Sequence, residues 1–239
     1  MCIAAFGFGS IPDIRFAFAA NRDELHSRPT AQAAWWVEMP DVLGGRDLTA
    51  GGSWLAIDRQ GRLAAVTNLP QSTPRHFPRS RGELVSGFLG DNSSAADFAA
   101  EFSAAADQFG PCNLLVWYGA ELHYASTGAT SSQIEPGIHA LGNAPLGAEW
   151  PRVLRAEQGL RDALDAGNPE ERLLELLADG KAGDIDDSEV ALARRRTEIF
   201  VHHPRYGTRS STVILITNDG SVIFTERSYG PDARPTGLE

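Results

Sequence analysis

The sequence is short of the features that mark several large classes of protein, and each shortage narrows what the chain does. Two cysteines occur in 239 residues, Cys2 and Cys112, which make no disulfide framework, and neither belongs to a metal-binding CxxC or CxxH pair. The histidines show no ligand spacing either. His202 and His203 are adjacent and face opposite ways in an extended chain, and His26, His76, His123 and His139 are scattered. No metal is expected. Lys and Arg number 21 against 31 Asp and Glu, a net charge of −10, with no basic stripe of the kind that tracks phosphates, so nucleic acid is not an expected partner. No apolar run approaches the roughly 18 residues of a membrane span. Gly, Ser, Pro, Asp and Arg interrupt the first twenty positions, where a secretion signal would need a basic segment followed by a continuous apolar one. A cytoplasmic location follows as the expectation. "FGFGS" lacks the GxGxxG pattern of a dinucleotide site, and no internal repeat or low-complexity segment occurs.

What is present is an apolar content of 42%, enough for a substantial core in one domain spanning 1–239. Short apolar runs punctuated by Gly, Pro and Asn read as strands: "MCIAAFGF", "IRFAFAAN", "GSWLAIDRQGRLAAVTN" and "CNLLVWYGAELHYAS". The third contains a hairpin, with Asp58 to Gly61 as its turn, and "STVILITNDGSVIFTERS" contains another around Asn218, Asp219 and Gly220. Helical period appears in "RGELVSGFLG", in "SAADFAAEFSAAADQFG", and from Pro151 to about Ala182. That last stretch breaks at "AGNPEE", where Asn168 before Pro169 offers a helix start. Segregated helices between sets of strands predict an α+β fold, with helices covering antiparallel sheets.

Cys2 is the first candidate for chemistry. Methionine ahead of a small residue is ordinarily removed after synthesis, which leaves a thiol and a free α-amine on one residue. The amine titrates near about 7.7–8.0 and the thiol near about 8.5, so the amine can take the thiol proton without a histidine. The plain alternative is a small buried hydrophobe heading a strand. Asn21, Arg22, Asp23 and Glu24 follow "RFAFAA" and read either as a solvated turn or as a cluster near residue 2, where a cation favours a thiolate and a carboxylate orients an ammonium. Asn68 and Asn143 stand close before prolines and either hold turns or donate to an oxyanion. Arg209, before the apolar run "STVIL", is a solvated strand start or a charge for the site.

Taken together, "MC", "AANRDE" with "SRP", "GGSWLAID", "GRLAAVTN", "SRGELV", "CNLLV", "LGNAP" with "WPRV", and "YGTRSSTVIL" with "FTERS" resemble the NRDE family, the family of Transport and Golgi organisation protein 2. The resemblance runs from Met1 to about Ser228 and keeps the order of the blocks. It implies an N-terminal nucleophile hydrolase-like fold, a four-layer αββα sandwich of two antiparallel sheets covered by helices. By the same resemblance Cys2 matches the nucleophile of cysteine hydrolases of that fold and Asp23 the aspartate that holds the new α-amine. Asn68 and Asn143 match oxyanion donors, and Arg209 a late active-site arginine. Those hydrolases carry an arginine three residues before the aspartate, where this chain has Ala20, and Arg22, two positions on, shares a strand face with it.

The expected function is cleavage of an amide or thioester bond in a small acylated substrate. Cys2, Asp23, Asn68, Asn143 and Arg209 are its expected catalytic residues, and Arg22, Asn21 and Glu24 its substrate-binding ones. Hydrolysis of this kind needs no cofactor. The family resemblance also carries a second expectation from another class, a haem or acyl-lipid carrier without turnover, for which Trp35, Trp36, Trp54 and Trp117 are the aromatic candidates. Aromatics at strand spacing otherwise build the core.

Overall fold

The computed structural model of the chain describes residues 2–9, 11–71, 75–180 and 197–239. They fall into two compact units, one made of 1–27 with 136–239 and one of 28–135. The first unit opens with β1 (Cys2–Phe8) and β2 (Ile14–Leu25). The chain then builds the second unit from β3 (Thr30–Trp35), β4 (Val42–Asp47), β5 (Leu55–Asp58), β6 (Leu63–Asn68), helices α1 (Gly82–Gly90) and α2 (Ala95–Ala104), and β7 (Cys112–Tyr118), β8 (Glu121–Ser126) and β9 (Ala129–Gln133). It returns to the first with β10 (Gly137–Leu141), α3 (Pro151–Asp165), α4 (Pro169–Leu177), β11 (Tyr206–Thr217), β12 (Val222–Tyr229) and β13 (Pro235–Leu238).

Each unit is an antiparallel sheet with helices packed on one face, the α+β arrangement expected from the sequence. In the first unit the strand order is β10-β1-β2-β11-β12-β13. Ile3, Ala5, Ala17, Ala19, Val213 and Leu215 meet Val153, Ala156, Leu160 and Ala163 of α3 and Leu173, Leu174 and Leu177 of α4. The period-2 alternation of the strands therefore sends odd positions of β1 and β2 to the helices. Phe6, Phe16 and Phe18 stack along the opposite face. Both faces of β1 and β2 are buried, which is why these strands read as nearly unbroken apolar runs. Gly167 and Asn168 take left-handed φ values of 73° and 57° and separate α3 from α4, with Pro169 opening the second helix. The continuation of that helical stretch to Ala182 lies outside the described residues.

In the second unit the order is β3-β4-β5-β6-β7-β8-β9. Ala56, Ala64, Val66, Leu114 and Val116 pack under Leu84, Val85 and Phe88 of α1 and Ala99 and Phe102 of α2. The expected hairpins β5–β6 and β11–β12 both form. Among the described residues no helix is long and apolar enough to cross a membrane.

β2 does not stop where its charges begin. Asn21, Arg22 and Asp23 are all buried inside the strand, because β11 supplies partners for the whole length of "NRDE" on one side and β1 pairs with Asn21 and Arg22 on the other.

Candidate active site

Antiparallel pairing sets Cys2 directly opposite Arg22, Arg22 opposite Ser210 and Ser210 opposite Ser228. Residues so paired share a face, so these side chains form one polar row across four strands. Asp23, one step along, points to the other face, under α3. There the Arg152 guanidinium, fully buried, reaches back to the head of β1. Its Nη2 donates to the Cys2 carbonyl at 2.9 Å and to Asn143 Oδ1 at 2.7 Å. Its Nη1 lies 3.8 Å from Asp23 Oδ2. The backbone nitrogen of Cys2 also donates to Asn143 Oδ1, at 3.0 Å. Two donors on one oxygen fix the amide orientation of Asn143 and turn its own donor, Nδ2, the other way.

Asp23 Oδ1 accepts from Thr208 Oγ1 at 2.8 Å, and Thr208 Oγ1 in turn accepts from the Val201 amide at 2.9 Å. Burial pushes the Asp23 carboxyl above its ordinary range, against the pull of the amino-terminal charge, Arg152, the Thr208 bond and Arg22. Burial pushes the Arg152 guanidinium down, against the attraction of Asp23, Cys2 and Tyr206. A guanidinium stays charged even so, and Asp23 is its nearest counter-ion.

A β-bulge makes this possible. Ser211 stands opposite Asn21 and Ser210 opposite Arg22, and an unbroken register would continue with Arg209 opposite Asp23. The register shifts between Thr208 and Ser210, and Thr208 takes that place. Arg209, displaced, donates from Nη1 to the carbonyls of Leu25 at 2.9 Å and His26 at 3.3 Å. Gly207 beside the bulge has to be glycine. A Cβ there would stand 2.7 Å from the Val201 carbonyl oxygen.

The expected residues thus separate. Cys2, Asp23 and Asn143 come together around Arg152, and Arg22 joins Cys2 on the thiol's own face. Glu24 is partly exposed, with its Oε2 4.0 Å from Arg22 and its Oε1 on the Leu25 amide at 2.8 Å. Asn21 sits on the helix face with both ends of its amide engaged. Its Nδ2 donates to the carbonyls of Leu177 and Ile199 at 2.7 and 2.9 Å, and its Oδ1 accepts from Ser211 at 2.6 Å. That is a bracket joining β2 to α4. Asn68 closes β6 in the second unit, opposite Cys112.

Sequence reading passed over Arg152, Thr208 and Ser210. The first carried a signal. With Val153, Ala156, Leu160 and Ala163 it lies in the buried stripe of α3, and a charge at a core position of a helix calls for a buried partner. Ser210 carried none, although its buried hydroxyl has no hydrogen-bond partner among the described residues. No three His, Cys, Asp or Glu groups that could hold a metal cluster together among the described residues. Of the aromatic candidates, Trp36 and Trp117 belong to the packed interior, and Trp54, partly buried, packs against it. Trp35 is 46% exposed, with the Arg59 guanidinium over its ring.

Cys112 is the contrasting thiol. It is fully buried, and burial pushes it up to about 12 from an ordinary value of 9.0. Its thiolate fraction at pH 8 is therefore roughly a thousandfold below that of an ordinary thiol. Alkylation at pH 8, followed by peptide mapping, is expected to leave Cys112 unlabelled until the chain is unfolded in urea; labelling of the native protein would contradict the burial.

Known proteins resemble this chain over nearly its whole length. The family model of "Transport and Golgi organisation 2" matches residues 1–231. The Transport and Golgi organization protein 2 homolog of Bos taurus is 33% identical over 259 aligned positions, covering 95% of this chain and 93% of that one. The Homo sapiens homolog is 30% identical with the same coverage. Among solved structures, the Caenorhabditis elegans N-acylethanolamine-hydrolyzing acid amidase ortholog superposes with a TM-score of 0.53 at 12% identity, over 90% of this chain and 92% of that one. A mutant conjugated bile acid hydrolase from Clostridium perfringens gives 0.50 at 11%, over 100% and 91%. The structural likeness establishes an N-terminal nucleophile hydrolase-like fold. With the family model spanning nearly the whole chain and close relatives matching from end to end, the chain belongs to the Transport and Golgi organisation 2 family.

Proposed function

We propose that the chain is a cysteine N-terminal nucleophile hydrolase that cleaves the amide or thioester bond of a small acylated substrate. The observation that carries this reading is the Cys2 nitrogen bound to Asn143 Oδ1 at 3.0 Å, beside the buried pair of Asp23 and Arg152.

Once the preceding residue is removed, that nitrogen is an α-amine. It takes the proton from the Cys2 thiol, and the thiolate adds to the substrate carbonyl carbon. The oxyanion so formed is met by the donor end of Asn143, held in place through its Oδ1. Collapse breaks the C–N or C–S bond, and the leaving amine or thiol departs with the proton from the Cys2 ammonium. Water, deprotonated by the same amine, then hydrolyses the thioester on Cys2 and frees the acid. Asp23 keeps the ammonium stage in place, and Arg22, on the thiol's face, favours the thiolate or a polar group of the substrate. No step calls for a cofactor, and the mechanism suits the reduced thiols of the cytoplasm. The names of the two superposed structures, an amidase and a hydrolase, support this reaction class over the carrier.

Intact mass of the purified protein, before and after treatment with an acyl electrophile, tests the reading. Loss of the residue preceding Cys2 and labelling of Cys2 at least about a hundredfold faster than Cys112 are expected. A blocked Cys2 nitrogen, or equal sluggishness at both thiols, would remove the base and turn the assignment to a haem or acyl-lipid carrier.

A further inference from the structure

Among the described residues of the first unit Arg152 is the largest polar side chain that is fully buried, and none of the expected residue roles accounts for it. It stands on the second position of α3, not on the strand that carries Asp23, and it is fully buried. Its two bonds go to the main-chain carbonyl of the nucleophile and to the oxygen that also receives the nucleophile's nitrogen. Its Nε and Nη1 have no hydrogen-bond partner among the described residues. Such a guanidinium is costly to bury, and a helix start needs no arginine there. Gly142 packs close by: a Cβ there would lie 3.2 Å from Val153 and 3.6 Å from Arg152 Nη2. The strand face beside Cys2 meanwhile has Ala20 opposite Ala4, small side chains without charge.

We propose that Arg152 is the positioning residue of the Cys2 centre. It ties the Cys2 carbonyl to the Asn143 side-chain oxygen, so that the nucleophile's nitrogen meets Asn143 in one geometry. Its charge, applied from the helix face while Arg22 acts from the thiol face, favours the unprotonated nitrogen and the thiolate. Among the described residues, the other charged or titratable groups that act on this point include Asp23 on β2, which opposes Arg152, and Tyr206 on β11. This role rests on the hydrolase reading for its use, but its physical content can be tested without any substrate.

The test is the pH profile of Cys2 alkylation by iodoacetamide, mapped by mass spectrometry, in the full chain and in Arg152→Met, Arg152→Gln and Arg152→Lys. Buried Cys112 reports folding of the second unit, and far-ultraviolet circular dichroism with thermal unfolding reports that of the whole chain in each sample. Removing a nearby cation raises the pKa of both thiol and amine, so the alkylation limb moves to higher pH. A shift of about one unit, or roughly tenfold slower labelling at pH 7, is expected in the Met and Gln variants, with the Lys variant close to wild type. An unmoved profile in either charge-free variant with Cys112 protected would overturn the proposal. So would Cys112 labelling in both charge-free variants, which would make Arg152 a residue of folding alone. Failure of the hydrolase reading is distinguishable from either result: no substrate would turn over, while the shift in alkylation would stand.

Discussion

Replacement of Cys2 by alanine is expected to lower acyl transfer by about four orders of magnitude or more, while the chain keeps its fold. The contacts that seat residue 2 are main-chain contacts: its nitrogen to Asn143 and its carbonyl to Arg152. Alanine preserves both. What it removes is the sulfur, the one protein atom of the proposed mechanism that bonds to the substrate. The measurement is turnover of a panel of N-acyl amides and acyl thioesters by wild type and variant, with thermal unfolding and Cys112 protection as controls for folding. Turnover that survives in Cys2→Ala would sink the mechanism, whatever the substrate proves to be.

Asp23→Ala is expected to have the largest effect on stability. Asp23 and Arg152 are both fully buried, 3.8 Å apart, and removing one partner leaves an uncompensated buried charge. Such losses run to about 3–5 kcal/mol, a large share of the roughly 5–15 kcal/mol that holds a domain folded. Urea unfolding at pH 7 measures it, and a loss below about 1 kcal/mol would show that water or another group already neutralises Arg152. Asp23→Asn keeps a side-chain oxygen for Thr208 and separates charge from shape. It also bears on pH. Burial raises the Asp23 carboxyl from 3.8, so between that value and the raised one the folded chain holds a proton that the unfolded chain has released. Stability from this group therefore falls as pH rises through that window and is level above it. The difference between wild type and Asp23→Asn is expected to follow that sense; the opposite slope would mean that Arg152 and the Thr208 bond outweigh burial.

The same two residues show how far the sequence reaches. Cys2 and Asp23 were visible as candidates because each stands at a distinctive place: one beside the start methionine, the other in a charged cluster closing an apolar run. The strands of β1 and β2, the hairpins at Asp58 to Gly61 and Asn218 to Gly220, and the break at Asn168 were legible for a local reason. Side-chain period, proline and left-handed turns act within a few residues of one another. Asn21 marks the limit. As a strand-end polar residue it reads as a substrate contact, and the fold engages its amide with α4 and Ile199 through bonds spanning 156 and 178 positions. Arg209 marks it again. Whether a bulge falls before or after it decides if it faces Asp23 or the carbonyls of Leu25 and His26, and no short pattern announces the slip of one residue.

By itself, then, the sequence determined the α+β class, the helix-covered sheets and the family, and singled out Cys2 and Asp23 as candidates, since all of these rest on local period or on the order of motifs along the chain. Only the tertiary structure decided what surrounds Cys2. Asn143 and Arg152 reach Cys2 across 141 and 150 positions, and they meet because α3 packs its apolar stripe on β1 and brings a buried arginine with it. Where a charge ends up inside a protein is settled by register and packing between distant segments, and the free energy of burying it is defined only once those segments have met.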